Sequence, residues 1–201
     1  MPARTIFLAS ANPGKLRELA ALLGPLGWRL VPQGELGLEP AAETGTSFIE
    51  NALLKARHAA RGGGGLPALA DDSGIEVDAL GGRPGVWSAR YAGDHATDRQ
   101  NLEKLLAELE GVAPERRTAR YRCVIAYVRS AGDPHPLLAE GSWEGTIAGA
   151  ARGSGGFGYD PIFIPRGDRR TAAELDPAEK DAVSHRAQAL ACLVARLSGN
   201  A

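Results

Sequence analysis

Cysteine is scarce in this chain: Cys123 and Cys192 are the only two among 201 residues. They stand far apart in apolar stretches and lack metal-ligand spacing. That excludes a disulfide scaffold and predicts reduced, buried thiols. The four histidines, His58, His95, His135 and His185, show no zinc spacing to one another. No apolar run is long enough to span a bilayer, and the opening "MPARTIFLASANPGK" has too short an apolar stretch for a secretory signal. A cytoplasmic location is therefore expected. An excess of one charge is missing too: 23 Lys and Arg stand against 24 Asp and Glu, a formal net charge of −1. That gives no support for polyanion binding at large, so any positive site must be local.

What is present is ordinary for one soluble domain, with 44% hydrophobic and 23% charged residues. The length suffices for a real core without staples. Strands are predicted at 4–10, 28–33, 66–71, 75–80, 118–129, 136–149 and 159–165, from short apolar or alternating runs. Helices are predicted after "ANPGK", where Leu16, Leu19, Ala20 and Leu23 recur with helical spacing, and over 47–61, 97–111 and 175–199. Ser47 with Glu50, and Thr97 with Gln100, have capping-box spacing. Asp176 and Pro177 read as N-cap and first helical residue. The apolar stripe of the second helix is expected at Ile49, Ala52, Leu53, Ala56 and Ala60, with "GGGG" at 62–65 as its stop. Early alternation of strand and helix, with a hairpin later, argues for an α/β fold with a mixed sheet. No clean linker divides the chain, so one domain over 1–201, with two lobes and a cleft between them, is expected.

"LADDSGIEV" at 69–77 sets two carboxylates, Asp71 and Asp72, at the end of an apolar run. A DSG turn between two strands accounts for them without function. A divalent cation accounts for them as well, since hard cations take carboxylate oxygens. Two other motifs fail on context. "GSGGFG" at 153–158 has the glycine spacing of a dinucleotide loop but leads into an apparent strand rather than a helix. "NPGK" lacks the leading glycine of a P-loop, and Leu16 follows Lys15.

The remaining polar residues share a theme. "SANPGK" at 10–15 joins a strand to a helix N-terminus, where free N–H groups and the helix dipole favour an anion. Ser10 and Asn12 add hydrogen-bonding groups. Lys15 adds a positive charge at the end of a helix that disfavours one, which suggests a use for it. Lys55 lies one residue beyond the apolar stripe, and Glu39 and Glu43 occupy the loop before that helix. Each alone reads as a solvated side chain. Phe157 or Tyr159 in "GGFGYDP" offers a ring to stack on a base, although a tight turn with a core aromatic explains it equally. His185 and Arg186 can donate to carbonyl acceptors on a base edge. An acid pair for Mg²⁺, an anion-binding turn, lysines and an aromatic pocket with donors suit a nucleoside triphosphate.

Five blocks, "SANPGK", "SFIENALLKA", "ADDSGIEVDALGGRPGVWSARYAG", "GGFGYDPIF" and "SHRAQAL", occur in that order between residue 10 and about 190. Together they closely resemble the inosine/xanthosine triphosphate pyrophosphatases, the Ham1-like family. The resemblance implies an elongated two-lobed α/β fold, a homodimer, Mg²⁺ as cofactor, and hydrolysis of ITP, dITP and XTP to monophosphate and pyrophosphate. It implies that Ser10, Ala11, Asn12, Pro13, Gly14 and Lys15 hold phosphates. Asp72 would bind the metal and act as general base, with Ser73 touching substrate, Asp71 supporting the site, and Glu43 (or Glu39) as second metal ligand. Lys55 and Lys180 would neutralise triphosphate charge. Phe157, Gly158, Tyr159 and Asp160 would enclose the base, and His185 with Arg186 would read it. Three other readings remain: a pyrophosphatase preferring modified pyrimidines, an inactive nucleotide-binding regulator, and a nucleic-acid binder. The intact Asp72, Lys15 and Lys55 argue against the second, and the balanced charge against the third.

Overall fold

Helix starts follow the capping chemistry of the sequence. The computed structural model describes residues 4–10 and 12–198. In chain order the elements are β1 (Arg4–Leu8), α1 (Pro13–Leu23), β2 (Trp28–Pro32), α2 (Phe48–Gly62), β3 (Ala68–Val77), α3 (Asp98–Glu108), β4 (Thr118–Val128), β5 (Leu137–Ile147), β6 (Phe163–Pro165), α4 (Pro177–Val183) and α5 (His185–Leu197). Ser47 caps α2, its hydroxyl accepting the Glu50 N–H at 3.2 Å while Glu50 accepts the Ser47 N–H at 3.2 Å. Thr97 and Gln100 do the same for α3, and Asp176 with Pro177 opens α4. The six strands lie in the order β2-β1-β3-β4-β5-β6. β1 runs parallel to β2 and β3, and β6 antiparallel to β5, so the sheet is mixed as expected.

The chain divides into two compact units, residues 1–72, 123–141 and 186–201, and residues 73–122 and 142–185. In the first unit β1 is buried on both faces, and the period of two sorts its side chains. Ile6 and Leu8 pack with Leu19 and Leu23 of α1 and Leu190 and Leu193 of α5. Phe7 and Ala9 pack with Ala52, Ala56, Ala59 and Ala60 of α2. β3 repeats the pattern: Leu69 belongs to the first cluster, Ala68 and Ala70 to the second. In the second unit Leu102, Leu105 and Leu109, from α3 and its end, pack on Ile75, Val77, Tyr121, Trp143 and Phe163.

Several boundaries differ from the expectation. "DSG" is no turn, since β3 runs unbroken through Ser73 and Gly74. A Cβ at Gly74 would collide with the Gly85 carbonyl oxygen and with Ser88 Oγ, so this glycine serves a close approach rather than a bend. The 159–165 run forms a 3₁₀ turn at Asp160–Ile162, leaving only Phe163–Pro165 as strand. The loops at 34–46 and 81–96 contain 3₁₀ turns at Gln33–Leu36 and Gly85–Arg90. The single helix expected over 175–199 is two, because Ser184 is extended at φ −65° and ψ 160°. The stripe of α2 is rotated: Asn51 and Ala59 are buried, while Ile49 is 37% exposed. Cys123 is buried as expected, but Cys192 is only half-buried. No helix among the described residues is long and apolar enough to cross a membrane.

Candidate active site

The alternation of β3 decides what the two aspartates do. Adjacent residues of an extended strand point to opposite faces. Asp71 follows Leu69 onto the face of α1 and α5, and Asp72 follows Ala70 onto the face of α2. They are therefore not one acid pair, contrary to the sequence reading. Each builds its own network within the first unit.

On the α1 and α5 face Asp71 is fully buried. Its Oδ2 lies 3.1 Å from Lys15 Nζ and accepts from Arg186 Nη2 at 3.0 Å. Arg186 Nη1 also pairs with Glu18 of α1. Burial alone would raise the Asp71 pKa, but Lys15, Arg186 and Lys55 outweigh it and hold the carboxyl far below the usual range. Burial likewise works against the charge on Arg186, but Asp71, Cys123 and Glu18 outweigh it and drive the guanidinium pKa upward. Cys123 is the bland case, its thiol pushed up to about 12 mainly by burial. Arg186, expected to read a base, is only 1% exposed, and its guanidinium braces Asp71 and Glu18.

On the α2 face Asp72 Oδ1 accepts from Lys55 Nζ at 2.8 Å, and Oδ2 from Asn51 Nδ2 at 3.2 Å. Lys55 Nζ also donates to Glu43 Oε1 at 2.8 Å. Asn51 and Lys55 stand at i and i+4, so one helix face presents both. Asn51 is fixed in turn by the Gly45 N–H, which donates to its Oδ1 at 2.8 Å. Lys55 is thus a paired group, not the solvated lysine its neighbours suggest. Burial lowers its pKa, but Asp72, Asp71 and Glu43 more than reverse that, so it stays charged. For Asp72 burial wins over Lys55 and Lys15, and its pKa is raised. Two neighbouring carboxyls are thereby pushed in opposite directions, the usual mark of divided roles.

Glu43, not Glu39, shares Lys55 with Asp72, whereas the Glu39 carbonyl oxygen lies 2.8 Å from His58 Nε2. Among the described residues no group of three or more His, Cys, Asp or Glu side chains is arranged for a metal ion. Two carboxylates nevertheless converge on one ammonium. Mg²⁺ needs little more from protein, because water and substrate phosphates fill its remaining positions. The donor set fits that ion.

The helix N-terminus differs from the expectation. Asn12 is the N-cap of α1, its Oδ1 accepting the Gly14 N–H at 2.8 Å and the Lys15 N–H at 3.1 Å. Pro13, at the first helical position, has no N–H. The donors assigned to an anion are spent on the cap. What remains for a phosphate is the Ser10 hydroxyl, the Asn12 amide nitrogen and the Lys15 ammonium. Ala11 lies outside the described residues.

The second unit holds the rest. Ser73 is half-buried within β3. Asp160 is buried and accepts from Lys180 Nζ at 2.5 Å, Tyr121 Oη at 3.1 Å and the Phe157 N–H at 2.9 Å. Lys180 also lies 4.9 Å from the centre of the Phe157 ring. Tyr159 is buried and donates its hydroxyl to the Ser88 carbonyl at 2.8 Å, so it anchors the loop and leaves Phe157 as the half-buried ring. Burial also drives the Tyr159 pKa up, with Tyr91 and Asp98 adding to it. His185 stacks on Tyr121 with ring centres 4.7 Å apart and planes 8° from parallel. Sequence reasoning missed Asn51, Tyr121, Glu18 and Ser88. Asn51 alone left a signal, as a polar residue among the buried alanines of α2.

The profile of the Ham1 family matches residues 6–196. A dITP/XTP pyrophosphatase from Methylococcus capsulatus is 59% identical over 194 residues, 96% of both chains. One from Escherichia coli O157:H7 is 56% identical over 189 residues, 94% of this chain and 95% of that one. Among solved structures, a HAM1 protein from Coxiella burnetii has a TM-score of 0.88 at 50% identity, covering 99% of this chain and all of the other.

Proposed function

The chain belongs to the Ham1 family, and on that premise we propose that it hydrolyses dITP and XTP, with ITP, to the monophosphate and pyrophosphate. The observation that carries this is Asp72, raised in pKa, clamped by Lys55 and Asn51 and sharing its lysine with Glu43. Water adds across the bond between the α- and β-phosphates, and no covalent nucleophile is required. Asp72 takes the proton from the attacking water, and its raised pKa makes it the stronger base of the two aspartates. Asn51 fixes the carboxylate plane. Lys55 and Lys15 offset the negative charge of the triphosphate. Mg²⁺ would be held by Asp72 and Glu43, and when bound it supplies charge neutralisation and a lower pKa for coordinated water.

Phe157 stacks on the purine and His185 donates to its 6-keto oxygen. A 6-amino purine would set donor against donor, and sites built on such pairing discriminate strongly. Exclusion of GTP must then act at the 2-position. A cytoplasmic homodimer is part of the same reading. The test is a substrate panel with Mg²⁺: dITP, XTP, dGTP, dATP and dUTP at equal concentration. The expected kcat/KM for dITP and XTP exceeds that for dATP by about 10²-fold or more. A preference for dUTP would replace this reading with the pyrimidine one.

A further inference from the structure

The loop that carries Phe157 is tied on one side, where the Gly155 N–H donates to the Ala173 carbonyl at 3.0 Å and the Arg152 N–H to the Pro161 carbonyl at 2.8 Å, and open on the other. Residues 151–156 are exposed, and Gly153, Gly156 and Gly158 sit at φ +79°, +70° and +62°. A cavity of about 510 Å³ opens between α3 and this loop, lined by Leu102, Leu106, Phe157 and Pro161. Side-chain packing on that flank is thin, so polar ties must fix the backbone. The two amides that bracket Phe157 are both tied, to carboxylates of different elements. The Phe157 N–H donates to Asp160 Oδ2 at 2.9 Å, and the Gly158 N–H donates to Asp98 Oδ2 at 2.7 Å. With both flanking peptides fixed, the Cα–Cβ direction of Phe157 is fixed, and with it the point from which the ring projects.

We propose that Asp98 is a positioning residue for recognition of the purine base: it holds Gly158, and through Gly158 the Phe157 ring. This rests on the proposed stacking of Phe157 on the base. The competing duty of Asp98 is plain helix chemistry, since an acid in the first turn of α3 favours the dipole. The two duties make opposite demands. A tie to Gly158 needs an acceptor oxygen at the aspartate reach, which Asn keeps and Glu displaces. The dipole needs negative charge, which Glu keeps and Asn loses. The Thr97–Gln100 capping box is independent of Asp98, so α3 still starts in every variant.

The experiment measures kcat and KM for dITP in Asp98→Ala, Asp98→Asn and Asp98→Glu, with thermal melting alongside. Asp98→Ala is expected to raise KM about tenfold and change kcat by less than about threefold, the loss of one charge-assisted hydrogen bond. Asp98→Asn should raise KM only about threefold, since its neutral acceptor keeps about half of the bond, with Asp98→Glu close to the alanine variant. An unchanged KM in Asp98→Ala overturns the proposal, as does rescue by Glu with failure of Asn. Wild-type protein inert toward every purine triphosphate would instead sink the underlying reading, a different result from active enzyme indifferent to residue 98.

Discussion

Asp72→Asn is expected to cut kcat for dITP by about 10³-fold or more while leaving the melting temperature within a few degrees of the wild type. Burial acts on Asp72 more strongly than Lys55 and Lys15 do, so its carboxylate is held at a cost to the fold. For a carboxyl whose folded pKa is raised, that cost is absent below the unfolded value. It grows as pH climbs through the window between the unfolded and folded values and is complete above it. At neutral pH the neutral amide removes it. Asn keeps the shape and can still accept from Lys55, which also retains Glu43 at 2.8 Å, but its NH₂ then faces the Asn51 Nδ2 donor, which offsets the gain. The lost function is proton acceptance from water, together with one hard oxygen of the metal set. Circular dichroism melting and steady-state kinetics on the same preparation check both. Activity near wild type would remove Asp72 from the chemistry, and a collapse in stability would show it to be structural.

Asp71→Asn, the same change one residue earlier, should do the reverse. It is expected to destabilise the fold by about 3 kcal/mol, the lower end for breaking a buried ion pair. For a chain of this length that is a fall of about 10 °C in melting temperature. The lower end applies because Arg186 keeps Glu18, and the Lys15 side chain is 15% exposed rather than sealed. The pH dependence has the opposite sign too. A carboxyl whose folded pKa is depressed adds stability that is complete above its unfolded value and lost as pH falls toward the folded one. The wild type should therefore lose its advantage over Asp71→Asn progressively below about pH 4, the ordinary aspartate value. Urea midpoints at pH 7 and pH 3 measure it. A gap that persists undiminished at pH 3 would refute the charge-based explanation.

That contrast between neighbours is partly legible in the sequence. An apolar run, "PALAD", leads into the aspartates, and period two along an unbroken β3 suffices to send Asp71 and Asp72 to opposite faces. The obstacle is Ser73-Gly74, a good turn signal in isolation. Gly74 is demanded by the Gly85 carbonyl, which occupies the place of its missing Cβ, a contact no local pattern announces. Capping boxes are readable because their partners lie three residues apart. The tie from Asp98 to Gly158 spans 60 residues and is invisible for the same reason. Ser184 breaks a helix that composition would continue, and the break divides "SHR", leaving His185 stacked on Tyr121 and Arg186 bound to Asp71. The anion-site reading of "SANPGK" finds the right turn and misassigns its donors, since Asn12 supplies an internal acceptor before any ligand does. Lys55 looks solvated in the sequence because its partner Asp72 comes from a distant segment, and the pair of Lys180 with Asp160 is hidden in the same way.

The most direct test of the proposed activity is the identity of the products. Wild-type protein is incubated with dITP and Mg²⁺, and the reaction is followed by phosphorus NMR. Resonances of dIMP and pyrophosphate should grow with integrals in the ratio of one to two, since pyrophosphate carries two phosphorus atoms, without orthophosphate. Orthophosphate with dIDP would mean that the terminal bond is cleaved, and would contradict the role assigned to Asp72 and its partners.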